Sequence, residues 1–552
     1  MRGMAADHPH PTVSFQTHPD RYKHVALRVD GGVARISLNV EEEGGLRPDD
    51  YTLKLNSYDV GVDIELNDAV QRMRFEHPEV ACVIITSAIQ GVFCSGANIF
   101  MLGTSAHAFK VNFCKYTNET RLYIEDASAN SGQRYIAALN GVASGGGYEL
   151  PLACEEIYLV DDRRSAVALP EVPFLGVLPG TGGLTRVVDK RKVRRDRADI
   201  FSTLAEGIKG KRAVQWNLVD GVFPLSRFDE AVQSRADEIA AGGNPDREGI
   251  RLTPIEASVD DDGNRTYEHV TVTFGPVSRV ATVTVRAPSQ VVDLPSNPRD
   301  LGEDWWPLKA FRELDDALLH LRFNHLGTGL LLLKTEGDGA NVLATDNQLL
   351  SRQDDWFIRE VTLNMKRVLK RLDLTAKTLF ALIEEGSAFA GSLLEIALAA
   401  DRQYMFEEDD VSITVGGFSF GAFPMSNGLT RLETRFLGEP GQPEVIRSRT
   451  DEALDSDEAM DLGLVTDAFD DIDWEDEIRL VVEERASMSP DALTGMEANL
   501  RFAGPETMET KIFGRLTAWQ NWIFQRPNAV GPKGALTLYG RPETAEFDYD
   551  RT

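Results

Sequence analysis

The first half of the chain alternates between short apolar runs and amphipathic stretches. "VALRVDGGVARISLN" (25–39) alternates apolar and other residues on both sides of Asp-Gly-Gly, which predicts a β-hairpin. "VDIELNDAVQRMRF" (62–75) has helical spacing, and "VACVIITS" (80–87) is apolar enough for a buried strand. A further buried strand is predicted in "RYIAALNG" (134–141), directly before a glycine-rich segment. Strands that alternate with helices in this way predict a layered α/β unit.

The chain repeats itself at a spacing of about 245 residues. Gly183 and Gly428 lie 245 positions apart in matching "GLTR" segments. "ELPLACEE" (149–156) matches "EIALAADR" (395–402) at a spacing of 246. The predicted hairpin also recurs, in the segment that begins at His269. We infer a duplicated unit whose second copy has diverged.

The 552 residues are too many for one hydrophobic core. A polar segment rich in glycine and aspartate separates the two copies, and helical patches follow the second. The predicted divisions are a polar, mobile N-terminal arm (1–23), a catalytic unit (24–240), a linker (241–265), a second, degenerate unit (266–485) and a C-terminal helical region (486–552).

Composition excludes several classes of function. The formal net charge of −29 argues against nucleic-acid binding. No apolar stretch is long enough to span a membrane, and the N-terminus lacks the apolar core of a secretory signal. We therefore expect a cytoplasmic protein with reduced thiols. Four cysteines match neither a disulfide framework nor a metal site: Cys82, Cys94, Cys114 and Cys154.

The segment "NGVASGGGYELPLACEE" (140–156) places three glycines where a helix begins. Glycine lets backbone N–H groups approach a ligand, and a helix N-terminus favours negative charge, so this segment suits a developing oxyanion. A tight strand-to-helix turn packed against a neighbour is the alternative. Upstream, "GVFCSGANIFML" (91–102) offers a second N–H in a glycine turn. Glu171 follows Glu149 by 22 positions and supplies a second carboxylate.

In order and spacing, these segments resemble the enoyl-CoA hydratase (crotonase) superfamily across most of residues 24–235. The resemblance implies an α/β fold with two tandem crotonase-like domains (ββα-repeat spirals), the second degenerate, plus a C-terminal helical segment. It implies that the N–H groups of Ala97 and Gly146 bind the thioester carbonyl oxygen. It also implies that Glu149 and Glu171 hold water and exchange protons with it.

Other positions carry weaker expectations. Cys114 lies where the superfamily lines its acyl pocket, so its thiol is a candidate catalytic group; a small buried apolar residue is the alternative. Asn98 stands where the superfamily usually has aspartate, which leaves a charge role there in doubt. The second copy has Glu395 opposite Glu149 but Gly416 opposite Glu171. We expect that this copy lacks a full site and serves in place of a partner subunit.

The whole chain resembles superfamily members that cleave an epoxidised aromatic CoA thioester with water and release formate. An enoyl-CoA hydratase or isomerase for another acyl-CoA remains an alternative, as does a non-catalytic acyl-CoA-binding protein. The expected partner is an acyl-CoA substrate, with coenzyme A present only as part of it and no metal or other cofactor. We expect no nucleic-acid or membrane partner and a homo-oligomer, with a dimer favoured.

Overall fold

The computed structural model describes residues 11–552, which form two compact units. The first unit ends at Pro254, and the second comprises Ile255–Thr552. This boundary falls inside the predicted linker (241–265), and on its first-unit side Ile250 and Leu252 are buried. In the first unit, the N–H of Ile250 donates to the carbonyl oxygen of Phe75 (2.8 Å).

The predicted N-terminal arm (1–23) is packed over part of its length. Residues 1–10 lie outside the described residues. Val13 and Phe15 are buried, and the ring of Phe15 lies 5.1 Å from that of Tyr116. The expectation of a mobile arm is therefore wrong for this part, because two apolar side chains at alternate positions insert into the first unit.

The first unit contains a six-stranded and a three-stranded sheet. The strand orders are β1-β2-β3-β5-β7-β9 and β4-β6-β8. The strands are β1 (Val25–Asp30), β2 (Val33–Leu38), β3 (Cys82–Ser87), β4 (Gly91–Cys94), β5 (Arg134–Leu139), β6 (Gly141–Ser144), β7 (Glu156–Asp161), β8 (Val167–Ala168) and β9 (Gly221–Pro224). The helices are α1 (Val60–Phe75), α2 (Ile99–Thr104), α3 (His107–Asp126), α4 (Gly146–Ala153), α5 (Glu171–Leu175), α6 (Gly183–Thr185), α7 (Arg195–Thr203), α8 (Gly210–Gln215) and α9 (Phe228–Ala240).

The predicted hairpin is confirmed as the antiparallel pair β1–β2, and the predicted helix and buried strands are α1, β3 and β5. Every residue of β3 is buried. Cys82 and Ile84 of β3 pack with Phe228 and Val232 of α9. A strand covered on both faces needs apolar residues at successive positions, which explains why this run does not alternate.

The second unit contains an eight-stranded and a two-stranded sheet. The strands are β10 (Ser258–Val259), β11 (Arg265–Thr266), β12 (Val270–Phe274), β13 (Val280–Arg286), β14 (Leu330–Glu336), β15 (Thr378–Ile383), β16 (Arg402–Phe406), β17 (Ile413–Thr414), β18 (Ala453–Leu454) and β19 (Asp467–Phe469). The helices are α10 (Trp306–Asn324), α11 (Gly339–Ser351), α12 (Trp356–Leu374), α13 (Gly391–Leu398), α14 (Arg431–Arg435), α15 (Gln442–Arg447), α16 (Ser456–Asp461), α17 (Trp474–Ser487), α18 (Pro490–Leu500), α19 (Met508–Lys511), α20 (Thr517–Ile523), α21 (Pro527–Val530) and α22 (Ala535–Leu538).

The two units share one sheet plan. In the second unit, β12-β13-β14-β15-β16-β19 has the order and directions of the six-stranded sheet of the first: one antiparallel pair followed by parallel pairs. Across the described residues, the second unit has no counterpart of β4 and β6; a single bridge between Ala390 and Thr414 remains near α13. The degenerate copy has thus kept the large sheet and lost the strands that correspond to β4 and β6.

The C-terminal region consists of the short helices α18 to α22, which follow the last strand of the second unit. No helix in residues 11–552 combines the length and the apolar composition needed to cross a membrane.

Candidate active site

The small sheet of the first unit brings the two glycine turns together. Because β4 and β6 are parallel neighbours, the turns at their carboxyl ends lie side by side. A Cβ atom added to Gly96 would lie 2.8 Å from the carbonyl oxygen of Ser144 and 3.0 Å from the backbone nitrogen of Gly146. The turns therefore touch backbone to backbone.

Both predicted oxyanion donors lie at this contact. Gly146 is the first residue of α4, so its N–H has no acceptor within the helix. Tyr58 pairs with Ala97 in a parallel β-bridge. The N–H of Tyr58 donates to the carbonyl oxygen of Gly96, and the N–H of Asn98 donates to the carbonyl oxygen of Tyr58. That pairing leaves the N–H of Ala97 directed away from Tyr58. Two N–H groups on touching turns can bind one carbonyl oxygen.

The glycine triplet is required by its neighbours. A Cβ atom at Gly146 would lie 2.0 Å from the hydroxyl oxygen of Tyr58. A Cβ atom at Gly147 would lie 2.2 Å from the carbonyl oxygen of Cys94. Neither position has room for a side chain. The helix α4 can approach the turn after β4 this closely because both positions are glycine.

Glu149, in the first turn of α4, is buried and held by hydrogen bonds. The N–H groups of Thr181 and Gly183 donate to its Oε1 (3.0 and 2.7 Å), and the Thr181 hydroxyl donates to its Oε2. Burial raises the pKa of Glu149 above its ordinary value, and these hydrogen bonds oppose that shift. Three donors favour the ionised carboxylate.

Glu171 begins α5 and has a different environment. A Cβ atom at Gly145, which has a φ of +58°, would lie 2.8 Å from the Oε1 of Glu171, so the carboxyl group reaches the glycine triplet. Its Oε2 is buried and has no hydrogen-bond partner within residues 11–552. Burial, with the charge of Glu149, raises the pKa of Glu171 to about 7. Glu171 can therefore carry a proton at neutral pH.

Cys114 lies on α3, within electrostatic range of Glu149. Burial, with the charge of Glu149, raises the pKa of the Cys114 thiol to about 11. The thiol is therefore protonated at neutral pH, which does not favour a nucleophilic thiolate. Its contact with substrate stays a prediction.

Asn98 has a structural part in the turn. Its side chain caps α2 by accepting from the N–H of Met101 (3.0 Å), and it donates to the carbonyl oxygen of Thr52 (2.8 Å) and to Ser57 Oγ (3.2 Å). This position needs a side chain that both donates and accepts hydrogen bonds. The amide of asparagine does both, whereas an ionised carboxylate only accepts. A cavity of about 520 Å³ opens beside Ala97, with Lys54 and Phe100 in its wall.

The corresponding place in the second unit is filled by the unit's own side chains. Ser392 lies 246 positions after Gly146, and its N–H donates to the carboxylate of Asp346 on α11 (2.5 Å). A Cβ atom at Gly391 would lie 2.2 Å from the same carboxylate. The Asp346 carboxyl group thus occupies the N–H of Ser392, at the position that corresponds to Gly146 in the first unit.

The glutamate that is kept in the second unit is neutralised. Glu395 pairs with Arg431 (2.8 Å), and Arg431 also pairs with Asp373 (2.8 Å); all three side chains are buried. Gly416, opposite Glu171, has no side chain to offer. This pairing favours the prediction that the second copy lacks a full site.

Comparison with known proteins agrees with this division. The sequence profile of the enoyl-CoA hydratase/isomerase family matches residues 51–246. Over the whole length, benzoyl-CoA-dihydrodiol lyase from Aromatoleum evansii is 54% identical across 544 residues, which cover 98% of each chain. The chain belongs to the benzoyl-CoA-dihydrodiol lyase family of the crotonase superfamily.

Two solved enoyl-CoA hydratases each match part of this chain. The enzyme from Geobacillus kaustophilus HTA426 is 32% identical, with a TM-score of 0.35, and the match covers 40% of this chain and 75% of that one. The enzyme from Bacillus anthracis is 28% identical, with a TM-score of 0.34, and the match covers 40% of this chain and 78% of that one.

The structure brings together four of the five predicted site residues: Ala97, Gly146, Glu149 and Glu171. The fifth, Cys114, lies near them. Sequence reasoning missed Thr181, which fixes Glu149, and Tyr58, which packs against Gly146. Thr181 follows Glu171 in "LPGTGG" and could have been suspected as a donor from that glycine-rich turn. Nothing in the sequence around Tyr58 marks it.

We expect Gly147→Ala to lower the thermal unfolding midpoint, because the added methyl group would collide with the carbonyl oxygen of Cys94. Overpacking of this kind costs about 1–3 kcal/mol. Gly103→Ala is the control, since nothing lies within 4 Å of a Cβ atom at that position. Differential scanning calorimetry measures both, and equal midpoints for the two variants would contradict the proposed contact.

We expect Asp346→Asn to flatten the pH dependence of stability. Burial raises the pKa of Asp346 from 3.8 to about 7, so the folded protein binds a proton that the unfolded chain releases at lower pH. Wild-type stability therefore falls as the pH rises between these values, and the variant lacks that loss. The variant should be more stable than wild type at pH 8 and similar at pH 4.

Denaturant titrations at several pH values measure this effect. Asp338→Asn, at the exposed N-cap of the same helix, is the control, because asparagine caps as well as aspartate. Identical pH profiles for wild type and Asp346→Asn would show that the Asp346 carboxyl group is not held protonated.

Proposed function

We propose that this chain is a ring-cleaving lyase of aerobic benzoate degradation. It converts 2,3-epoxy-2,3-dihydrobenzoyl-CoA and water to 3,4-dehydroadipyl-CoA semialdehyde and formate. The observation that carries this proposal is the 54% identity to the Aromatoleum evansii lyase along the whole chain. That match includes the second unit, which a simple hydratase has no reason to share.

The first event is binding of the thioester carbonyl oxygen by the N–H groups of Ala97 and Gly146. Hydrogen bonds to this oxygen withdraw electron density from the epoxidised ring that is conjugated to it. The ring carbons become more susceptible to water as negative charge accumulates on the oxygen. The helix α4 behind Gly146 favours that charge.

The two glutamates then act as base and acid. Glu149, whose three hydrogen bonds favour the carboxylate form, accepts a proton from a bound water molecule as it attacks. Glu171, with a pKa of about 7, donates a proton to the oxygen that leaves carbon. Different environments thus separate the functions of two identical side chains.

Two water molecules balance the reaction. The epoxide first expands to a seven-membered oxygen-containing ring, which breaks the carbon–carbon bond that the oxygen bridged. The first water molecule opens this ring at a carbon–oxygen bond, and the second adds to the resulting aldehyde beside the carbon that carries the thioester. Cleavage of one carbon–carbon bond then releases a ring carbon as formate and leaves an aldehyde on the six-carbon thioester. No external oxidant or reductant is required, because the epoxide already contains the oxygen atom.

We also propose how the rest of the substrate is accommodated. The cavity beside Ala97 takes the thioester arm of coenzyme A, with the ammonium group of Lys54 near its anionic end. Coenzyme A enters only as part of the substrate, and no metal or other cofactor takes part. We further propose a cytoplasmic homodimer in which the second unit replaces part of a subunit contact.

A plain enoyl-CoA hydratase or isomerase is the second candidate, because the family profile matches residues 51–246, which contain both glutamates. A non-catalytic acyl-CoA-binding protein ranks last. Loss of both glutamates would be its mark, whereas the first unit retains Glu149 and Glu171 in a buried pair.

Formate release from 2,3-epoxybenzoyl-CoA tests the proposal. We expect stoichiometric formate from the native chain and a loss of at least about 100-fold in Glu149→Gln and Glu171→Gln. Glu155→Gln, an exposed change after the end of α4, should retain the native rate. Turnover of crotonyl-CoA without formate would favour the hydratase, and binding without reaction would favour the binding protein.

The pH dependence of kcat/KM tests the assignment of acid and base. Glu171 donates only when protonated, so kcat/KM should fall as the pH rises through about 7. Glu149→Gln removes the negative charge that helps to raise this pKa, so its residual activity should decline at a lower pH. An unshifted profile in Glu149→Gln would contradict the coupling of the two carboxyl groups.

A further inference from the structure

Tyr58 has a buried hydroxyl group beside the glycine triplet. The side chain is 4% exposed, and its Oη makes no hydrogen bond within residues 11–552. Burying a hydroxyl group without a partner is unfavourable, and such groups are rare in folded proteins. A phenylalanine would fill the same space without this cost. The hydroxyl group therefore calls for an explanation outside packing.

The position of the hydroxyl group supplies one. A Cβ atom built on Gly146 would lie 2.0 Å from Oη, so the phenol lies against the α-carbon of a predicted oxyanion donor. The backbone nitrogen of Gly146 is only about 1.5 Å from that α-carbon. Tyr58 thus directs its polar end to the space beside the N–H group that is to bind the thioester carbonyl.

The same turn that carries Ala97 holds the backbone of Tyr58. The N–H of Tyr58 donates to the carbonyl oxygen of Gly96 (3.0 Å), and its carbonyl accepts from the N–H of Asn98 (2.8 Å). The ring lies between Phe113, with ring centroids 5.9 Å apart, and the guanidinium group of Arg121, 5.5 Å from the ring centroid. These contacts fix the phenol relative to the oxyanion donors.

The backbone of the segment just before Tyr58 is strained. Leu55 and Asn56 have φ values of +59° and +52°, which non-glycine residues rarely adopt. The Asn56 side chain holds this conformation through hydrogen bonds to the N–H of Val40 (3.0 Å) and the carbonyl oxygen of Phe93 (3.1 Å). Backbone strain of this kind persists only when the surrounding structure enforces it. It is found most often at functional sites, where it holds reacting groups in position before the substrate binds.

The groups around the phenol keep it neutral. Burial raises the pKa of Tyr58 well above its ordinary value, and the charges of Asp63 and Glu149 act in the same direction. The positive charge of Arg121 opposes them without reversing the shift. A neutral phenol can donate a hydrogen bond, whereas a phenolate could only accept one.

We propose that Tyr58 is a catalytic residue whose hydroxyl group donates a third hydrogen bond to the thioester carbonyl oxygen held by Ala97 and Gly146. The inference rests on the proposed function and adds a residue to it. The bond strengthens as negative charge develops on the oxygen, and the proton stays on the phenol throughout. One residue can therefore assist both hydration steps without being reset between them.

Tyr58→Phe tests the proposal by combining activity with stability. Formate release should fall about 100-fold in kcat, the effect of losing one donor to an oxyanion. The thermal midpoint of the free enzyme should stay equal or rise, because an unpartnered buried hydroxyl group is removed. A structural hydroxyl group would give the opposite pattern, with lower stability and unchanged kcat.

A vibrational measurement identifies the oxygen that is bound. Benzoyl-CoA labelled with ¹³C at the carbonyl is a suitable probe, because it lacks the epoxide and does not turn over. Its carbonyl stretching frequency should be lowered on binding to the native enzyme and lowered less on binding to Tyr58→Phe. Equal frequencies in the two proteins would overturn the proposal even if kcat falls.

Tyr148→Phe is the matched control. Tyr148 is a buried tyrosine on α4 whose hydroxyl group donates to the carbonyl oxygen of Leu218 (2.6 Å), so its loss should lower stability and leave the carbonyl frequency unchanged. If the native chain releases no formate, the proposed function fails. If it does release formate and Tyr58→Phe matches it in rate and frequency, only the assignment of Tyr58 fails.

Discussion

The site depends on a contact between two stretches of backbone, the start of α4 and the turn that follows β4. Gly147 lies against the carbonyl of Cys94, and Gly96 lies against the backbone nitrogen of Gly146. Side chains would hold these stretches apart and separate the N–H groups that are to share one oxygen. Parallel pairing of β4 with β6 sets the contact, so the small sheet positions the two proposed oxyanion donors.

The two glutamates near this contact have different surroundings. Glu149 receives hydrogen bonds from the turn that contains Thr181 and Gly183, while one buried oxygen of Glu171 has no hydrogen-bond partner within residues 11–552. Hydrogen bonds stabilise charge, and burial without them disfavours it. The turn after α5 donates to Glu149 and favours its charged form, and the proposed division into base and acid rests on this difference.

Sequence periodicity predicted the hairpin, α1, β3 and β5, because each depends on neighbouring residues. The glycine triplet and the spacing of Glu149 and Glu171 predicted the candidate site, because function restricts those residue types. Tyr58 was missed because its contact with Gly146, on which its proposed role rests, joins residues that are distant in sequence. The packing of Val13 and Phe15 was missed because two apolar residues in a polar segment give too weak a periodic signal.

The carboxylate of Asp346 gives the second unit a tethered ligand. Because it is attached to the same fold, its effective concentration at the N–H of Ser392 far exceeds that of any dissolved thioester. A free acyl-CoA would have to compete with a group that never diffuses away. Restoring a pocket there would first require removing an acid and releasing Arg431, and only then adding a catalytic carboxylate. Divergence after duplication has thus become difficult to reverse by single substitutions.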